Sequence, residues 1–135
     1  MFKVPLIALV LLSSITASHA LASTHSKKYL CDVNNGLQFD LLLLRSEVLP
    51  GVDTGLEAHM VVHPDEYAAS VAISFGQPPW KKQTFQFFKI HFPTTSGHTF
   101  RLDLMSGNLE DMPNDLFGTF TEDSEDANNV ICYYA

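Results

Sequence analysis

Four histidines, His59, His63, His91 and His98, are the side chains in this sequence most able to hold a metal ion or move a proton. His59 and His63 have the His-x-x-x-His spacing that grips zinc on a helix, but the helical motif also needs Glu directly after the first His. Met60 stands there, and Val61-Val62 favours a strand. On a strand the two imidazoles share a face yet sit about 13 Å apart, at roughly 3.3 Å per residue, too far to hold one ion. A set completed by His91 or His98 from neighbouring strands is geometrically allowed. Ordinary surface or half-buried histidines are the simpler reading, and neither a metal nor another cofactor is expected.

Carboxylates are the second resource. After Arg101 the chain has no Lys or Arg, but Asp103, Glu110, Asp111, Asp115, Glu122, Asp123, Glu125 and Asp126 all follow. Glu122-Asp123-Ser124-Glu125-Asp126 offers hard oxygen ligands of the kind calcium takes, without the alternating Asp/Asn spacing and central Gly of an EF-hand loop. Solvated turn carboxylates are the plainer expectation, with weak calcium binding or an electrostatic face for a basic partner as alternatives. A small hydrolase built on two of these groups would need them on one cleft, about 5–10 Å apart.

Nucleophilic chemistry has little to work with. There is no Gly-x-Ser-x-Gly elbow, and Ser70, Ser74 and Ser96 lie in no motif that brings a base to them. No enzyme is therefore expected. Cys31 and Cys132, near the two ends, are better spent on a disulfide, and nothing resembles the Cys-x-x-Cys of a redox centre. Pro78-Pro79-Trp80-Lys81-Lys82 holds the single Trp. Trp80 either folds back to cap the open end of the core or, braced by prolines, stands out as a binding anchor.

These groups must be positioned by strands, because the apolar period along the chain is close to two. Tyr29, Cys31 and Val33 alternate with Lys28, Leu30 and Asp32; Asn34-Asn35-Gly36 then interrupts, and Leu37, Phe39, Leu41 and Leu43 resume. Asn-Gly between two such runs predicts a hairpin with a type I′ turn. The Leu41-Leu42-Leu43-Leu44 run loses its alternation and reads as covered on both faces. Further strands are expected over 57–63, 70–75, 84–92, 100–105, 116–121 and 129–134. Residues 23–26 read as a loose leader and 50–55 as a loop, while 65–69 and 109–115 are candidates for helical turns. The sum is all-β: a small antiparallel barrel or sandwich of about eight short strands, closed by one Cys31–Cys132 disulfide.

The N-terminus is read as a targeting segment. Lys3, the unbroken apolar stretch 4–12 and the small residues after it have the layout of a signal peptide, too short to span a bilayer. Ala20-Leu21-Ala22 fits the cleavage rule best, giving a leader of residues 1–22 and one β domain over 23–135; Ser18-His19-Ala20 is the second choice. The mature chain would be periplasmic or secreted, where a cysteine pair is normally oxidised, and no membrane insertion is expected once the leader is removed. Losing Lys3 leaves seven Lys and Arg against fifteen Asp and Glu, a net charge of about −8. Such a chain is repelled by phosphate backbones, so no nucleic acid is expected; a basic protein is the easier partner.

Two short stretches resemble the bacterial periplasmic inhibitors of C-type lysozyme, small closed β-barrels with an early cysteine in a Tyr-x-Cys-Asp context and a late one near the C-terminus. Tyr29-Leu30-Cys31-Asp32 and Cys132 are similar to that frame. Ser96-Gly97-His98-Thr99-Phe100 is similar to the Ser-Gly-x-x-Tyr-like loop these inhibitors present to the lysozyme cleft, with Phe in place of Tyr. The matches cover under a tenth of the chain. The first cysteine lies further from the loop than in the family, and no aromatic-plus-Lys-Gly strand follows it. The resemblance implies an acidic exported barrel that binds a basic hydrolase. The expectation from the residues is a non-enzymatic binding protein of unknown ligand, with Trp80, Ser96, Gly97 and His98 as its contact residues. An inhibitor of a basic cell-wall hydrolase, a carboxylate-dependent hydrolase and a purely structural envelope protein are the alternatives.

Overall fold

Alternating inward side chains give every segment of this chain one apolar face, and the economical way to bury eight such faces is to wrap them around one another. The computed structural model describes residues 23–49, 52–93 and 97–135; the expected leader, residues 1–22, and Ser96 lie outside them. Eight strands follow in order: β1 Ser23–Val33, β2 Gln38–Leu49, β3 Val52–Val62, β4 Asp65–Gly76, β5 Phe85–Pro93, β6 Thr99–Ser106, β7 Asp115–Glu122 and β8 Asn128–Tyr134. Each pairs antiparallel with the next, and β8 returns to β1, so the sheet is a closed up-and-down barrel rather than a sandwich. The closing ladder sets Cys31 directly opposite Cys132, and the two are joined by a disulfide.

The interior is filled by side chains. Tyr29, Leu41, Met60, Ile90, Leu102 and Leu116 are among those with almost no exposure. At one end of the barrel Phe39, Phe120, Phe100 and Tyr67 pack in a chain of rings, with centroids 5.3, 5.7 and 5.0 Å apart. Gly118 permits the closest approach between β6 and β7, for a Cβ there would sit 1.8 Å from the Asp103 carbonyl oxygen. No residue with a side chain fits without moving backbone.

Several local expectations are corrected. Residues 23–26 are not a loose leader but the first part of β1, held by pairs such as Ser23↔Glu47 and Thr24↔Ser46 with a β2 longer than its apolar pattern. Residues 52–55 likewise belong to β3 rather than a loop, and 65–69 are strand, paired from Val62↔Asp65 onward, rather than a helical turn. The first hairpin turns over three residues, 34–36. Gly36 N–H donates to the Val33 carbonyl (3.0 Å), Val33 N–H to the Leu37 carbonyl (2.8 Å), and Gly36 has φ 95°. Asn35 is not among the positive-φ residues, so this is a type I turn closed by a glycine bulge, not type I′. Leu42 and Leu44 are half-buried on the outer face, where Lys28 and Glu57 lie beside them; among the described residues no second layer covers them.

The segment 107–114 is not helical; it folds as a plug. Met112 (φ 52°) and Pro113 are buried at the barrel mouth. Lys27 Nζ donates to the Met112 carbonyl (2.8 Å), Tyr29 Oη to the Pro113 carbonyl (2.7 Å), and Gln86 Nε2 to the Asn108 and Glu110 carbonyls (3.3 and 3.0 Å). Burial, with the charge of Asp111 adding to it, pushes the Tyr29 phenol far above its ordinary range, so it serves as a permanent donor.

Candidate functional site

An up-and-down meander places successive connections at alternate ends of the barrel. The links after β1, β3, β5 and β7 form one end; those after β2, β4 and β6, together with the start of β1, form the other. Trp80, after β4, is thus separated from Gly97 and His98, after β5, by the nine residues of that strand, about 30 Å at 3.3 Å per residue. Of the expected contact residues, Trp80 does not share a surface with Gly97 and His98. Ser96 lies outside the described residues, and Gly97 (φ 85°) and His98 are exposed beside it.

Trp80 does not cap the core. It is 64% exposed, Pro78 beside it is buried, and the mouth it was expected to close is occupied by Met112. The same end carries an apolar outer strip that the local sequence around Trp80 does not announce. Phe85 packs edge-on against Phe117 at 6.3 Å with Lys81 Nζ over its ring, and the outer face continues through Phe87, Met105, Phe117 and Ile131, directly opposite one another on successive strands.

The opposite end is acidic. Asp65 and Glu66 open β4, Glu122 closes β7, and Asp123, Glu125 and Asp126 follow. Among the described residues of its four connections, 34–37, 63–64, 97–98 and 123–127, none is Lys or Arg. The far end holds Lys27, Lys81, Lys82 and Arg45, the last paired with Asp111 at 3.1 Å. Carboxylates occur at both ends, Glu110, Asp111 and Asp115 among them at the far one, but there they stand beside Lys and Arg, whereas the described connections of this end have neither.

At this acidic end His98 and Asp123 form the best-defined constellation. His98 Nδ1 lies 2.8 Å from Asp123 Oδ2, and Thr99 N–H donates to Asp123 Oδ1 at 2.9 Å. Asp123 sits in the left-handed region (φ 53°) and donates its own N–H to the Thr99 carbonyl (2.8 Å), which ties the 123–127 turn to the start of β6. The hydrogen bond and charge of Asp123 hold His98 above the usual histidine range; the same bond, helped by the Thr99 N–H, holds Asp123 below the usual carboxylate range. With Glu122 these side chains bring one nitrogen and two carboxylate oxygens within 4.8 Å of one another. Both Asp123 oxygens are already engaged, so the arrangement works as an exposed ion pair. Twenty-five residues separate His98 from Asp123, and no sequence spacing announces the pairing.

The other histidines are dispersed. His59, on the outer face of β3, has carboxylates on both sides, Glu57 at 3.7 Å and Glu66 at 3.6 Å. His63 is exposed at the β3–β4 turn, and His91 faces outward from β5, with β4 between it and His59. The histidine set considered from sequence does not converge. Of the acidic-region carboxylates, Asp103 lines an outer groove of about 570 Å³ with Lys89, His91 and Arg101. Arg101 Nε donates to its Oδ2 at 3.1 Å, while its enclosed Oδ1 has no hydrogen-bond partner. No family model, curated protein or solved structure matches the chain.

Proposed function

We propose that this protein is an exported, non-catalytic β-barrel that binds a basic protein partner through the loop end bearing His98, Glu122, Asp123, Glu125 and Asp126. Inhibition of a basic cell-wall hydrolase is the finer form of that reading. The observation that carries it is the distribution of charge at this end of a filled barrel: three carboxylates, Asp123, Glu125 and Asp126, and no Lys or Arg on its described connections, with Asp65, Glu66 and Glu122 at the adjoining strand ends. A patch of one sign steers an oppositely charged partner and fixes its orientation, chiefly through the association rate. Gly97 and His98, within the stretch similar to the lysozyme inhibitors' loop, lie at this same end. Export rests on the apolar stretch 4–12 and on a disulfide compatible with an oxidising compartment.

The test is inhibition of, and binding to, a C-type lysozyme at low and physiological ionic strength. The reading expects association that weakens with salt and with E122Q/D123N/E125Q/D126N, while Trp80→Ala, at the far end, leaves it unchanged. No association removes the hydrolase form. Association indifferent to both salt and the carboxylate variant removes the acidic end as the contact surface.

A further inference from the structure

The ladder between β4 and β5 is incomplete. It runs from Val71↔Ile90 to Gly76↔Phe85, so, among the described residues, 65–70 have no registered partner on β5, and His91, Phe92 and Pro93 have none on β4. On their other side residues 65–70 are paired with β3, from Val62↔Asp65 to Glu57↔Ser70. β4 changes partner halfway along its length, and the wall of the barrel splays where it does. Consistent with this, β4 has no buried residue; its inward side chains Tyr67, Ala69, Val71 and Ile73 are only partly covered.

The groove of about 570 Å³ lies at this seam, with Ala68, Ser70 and Ala72 as one wall and Lys89, His91 and Pro93 as the other. Ala69 and Ile90, whose side chains turn towards the core, also line it, so the groove reaches the backbone between the strands. A strand edge with unmatched N–H and C=O groups is a template for another strand, and small outward side chains leave room for one. The charge here runs against that of the molecule. Lys89 and Arg101 flank the groove with His91 between them, His91 standing directly opposite Arg101. Asp103 is engaged by Arg101, and Glu66, the nearest outward carboxylate of β4, lies beside His59 on the β3 side.

We infer that the β4–β5 seam binds an extended acidic peptide, which adds as a strand along residues 68–70, the unpaired part of β4 that lines the groove, and sets its carboxylates towards Lys89, His91 and Arg101. Backbone bonds to the β4 edge supply affinity, and the cationic wall selects the charge of the guest. This surface borders the acidic loop end at Asp65 and Glu66 but uses none of its carboxylates, and it stands whether or not that end binds a basic protein.

The experiment titrates the purified ¹⁵N-labelled protein with a short peptide of alternating Val and Glu, its Val/Lys counterpart, and the Val/Glu peptide N-methylated at alternate backbone nitrogens. Shifts should concentrate on residues 66–72 and 89–93 with the Val/Glu peptide. Its affinity should exceed that of the Val/Lys peptide by about tenfold, and Lys89→Glu, an exposed change, should reduce it about five- to tenfold. N-methylation should abolish binding in at least one of its two registers, and Ala68→Trp should block the groove. Equal binding of the two charged peptides, indifference to N-methylation in both registers, or shifts centred elsewhere would overturn the inference. So would absence of binding, or self-association of the protein through these residues with no peptide bound. Near-ultraviolet circular dichroism checks that each variant is folded, and Lys89→Glu decides the matter if Ala68→Trp is not.

Discussion

At the residue scale, the His98–Asp123 pair is the contact whose chemistry is most directly measurable. A histidine whose folded pKa is raised contributes stability below its unfolded value near 6.5 and loses it as pH rises through the folded one. A carboxylate whose folded pKa is lowered contributes above its unfolded value near 3.8 and loses it as pH falls through the folded one. The pair is therefore fully formed between about pH 4 and 6.5 and weakens on either side. Because it is exposed, its signature is in titration rather than global stability. Asp123→Asn keeps a residue that tolerates the left-handed backbone, and the His98 pKa should fall back towards the ordinary range when followed by NMR. An unchanged titration would show that Asp123 is not its partner. Neither residue advertises this from sequence: His98 reads as part of a Ser-Gly-His turn, and Asp123 as one of several solvated carboxylates.

At the element scale, β4 is the strand with least to hold it. Strands β1 and β2 carry inward positions such as Cys31, Leu41 and Leu43 that are fully buried, whereas β4 has none. Local opening is easiest where few apolar contacts and unmatched edge bonds coincide. Alternate amides of residues 65–70, those turned towards β5, should exchange orders of magnitude faster than Tyr29, Cys31 and Leu41. Uniform protection around the barrel would mean that the seam is closed in solution. The eight strands themselves are legible because alternation of Tyr29-Cys31-Val33 or Phe100-Leu102-Leu104 is a local signal. Strand extensions at 23–26, 52–55 and 65–69 are not, since these short stretches show no sustained apolar alternation of their own and their pairing is set by the neighbouring strand.

At the scale of the whole molecule, the disulfide joins the first strand to the last across 101 residues, at the ladder that closes the barrel. Breaking it lengthens the accessible unfolded chain and leaves the β1–β8 seam to its hydrogen bonds and side-chain packing. Replacing both cysteines by alanine should cost about 2–5 kcal/mol in urea unfolding, on the model in which the bridge acts mainly through chain entropy. A loss well under 1 kcal/mol would show that the seam closes on packing alone. The overall negative charge is likewise a property of the composition, but the gathering of Asp65, Glu66, Glu122, Asp123, Glu125 and Asp126 at an end whose described connections lack Lys and Arg comes from the meander, which sends alternate connections to opposite poles.

Alternation, turn residues and a lone cysteine pair determined an all-β chain bridged end to end, because inward and outward positions on a strand are fixed by a period of two and need no partner to be read. Closure into a barrel, the Met112 plug, the His98–Asp123 pair and the open β4–β5 seam were decided only by the tertiary structure. Each depends on which strands become neighbours and in what register, and register is set by the simultaneous burial of all eight faces, a constraint that no short stretch of sequence contains.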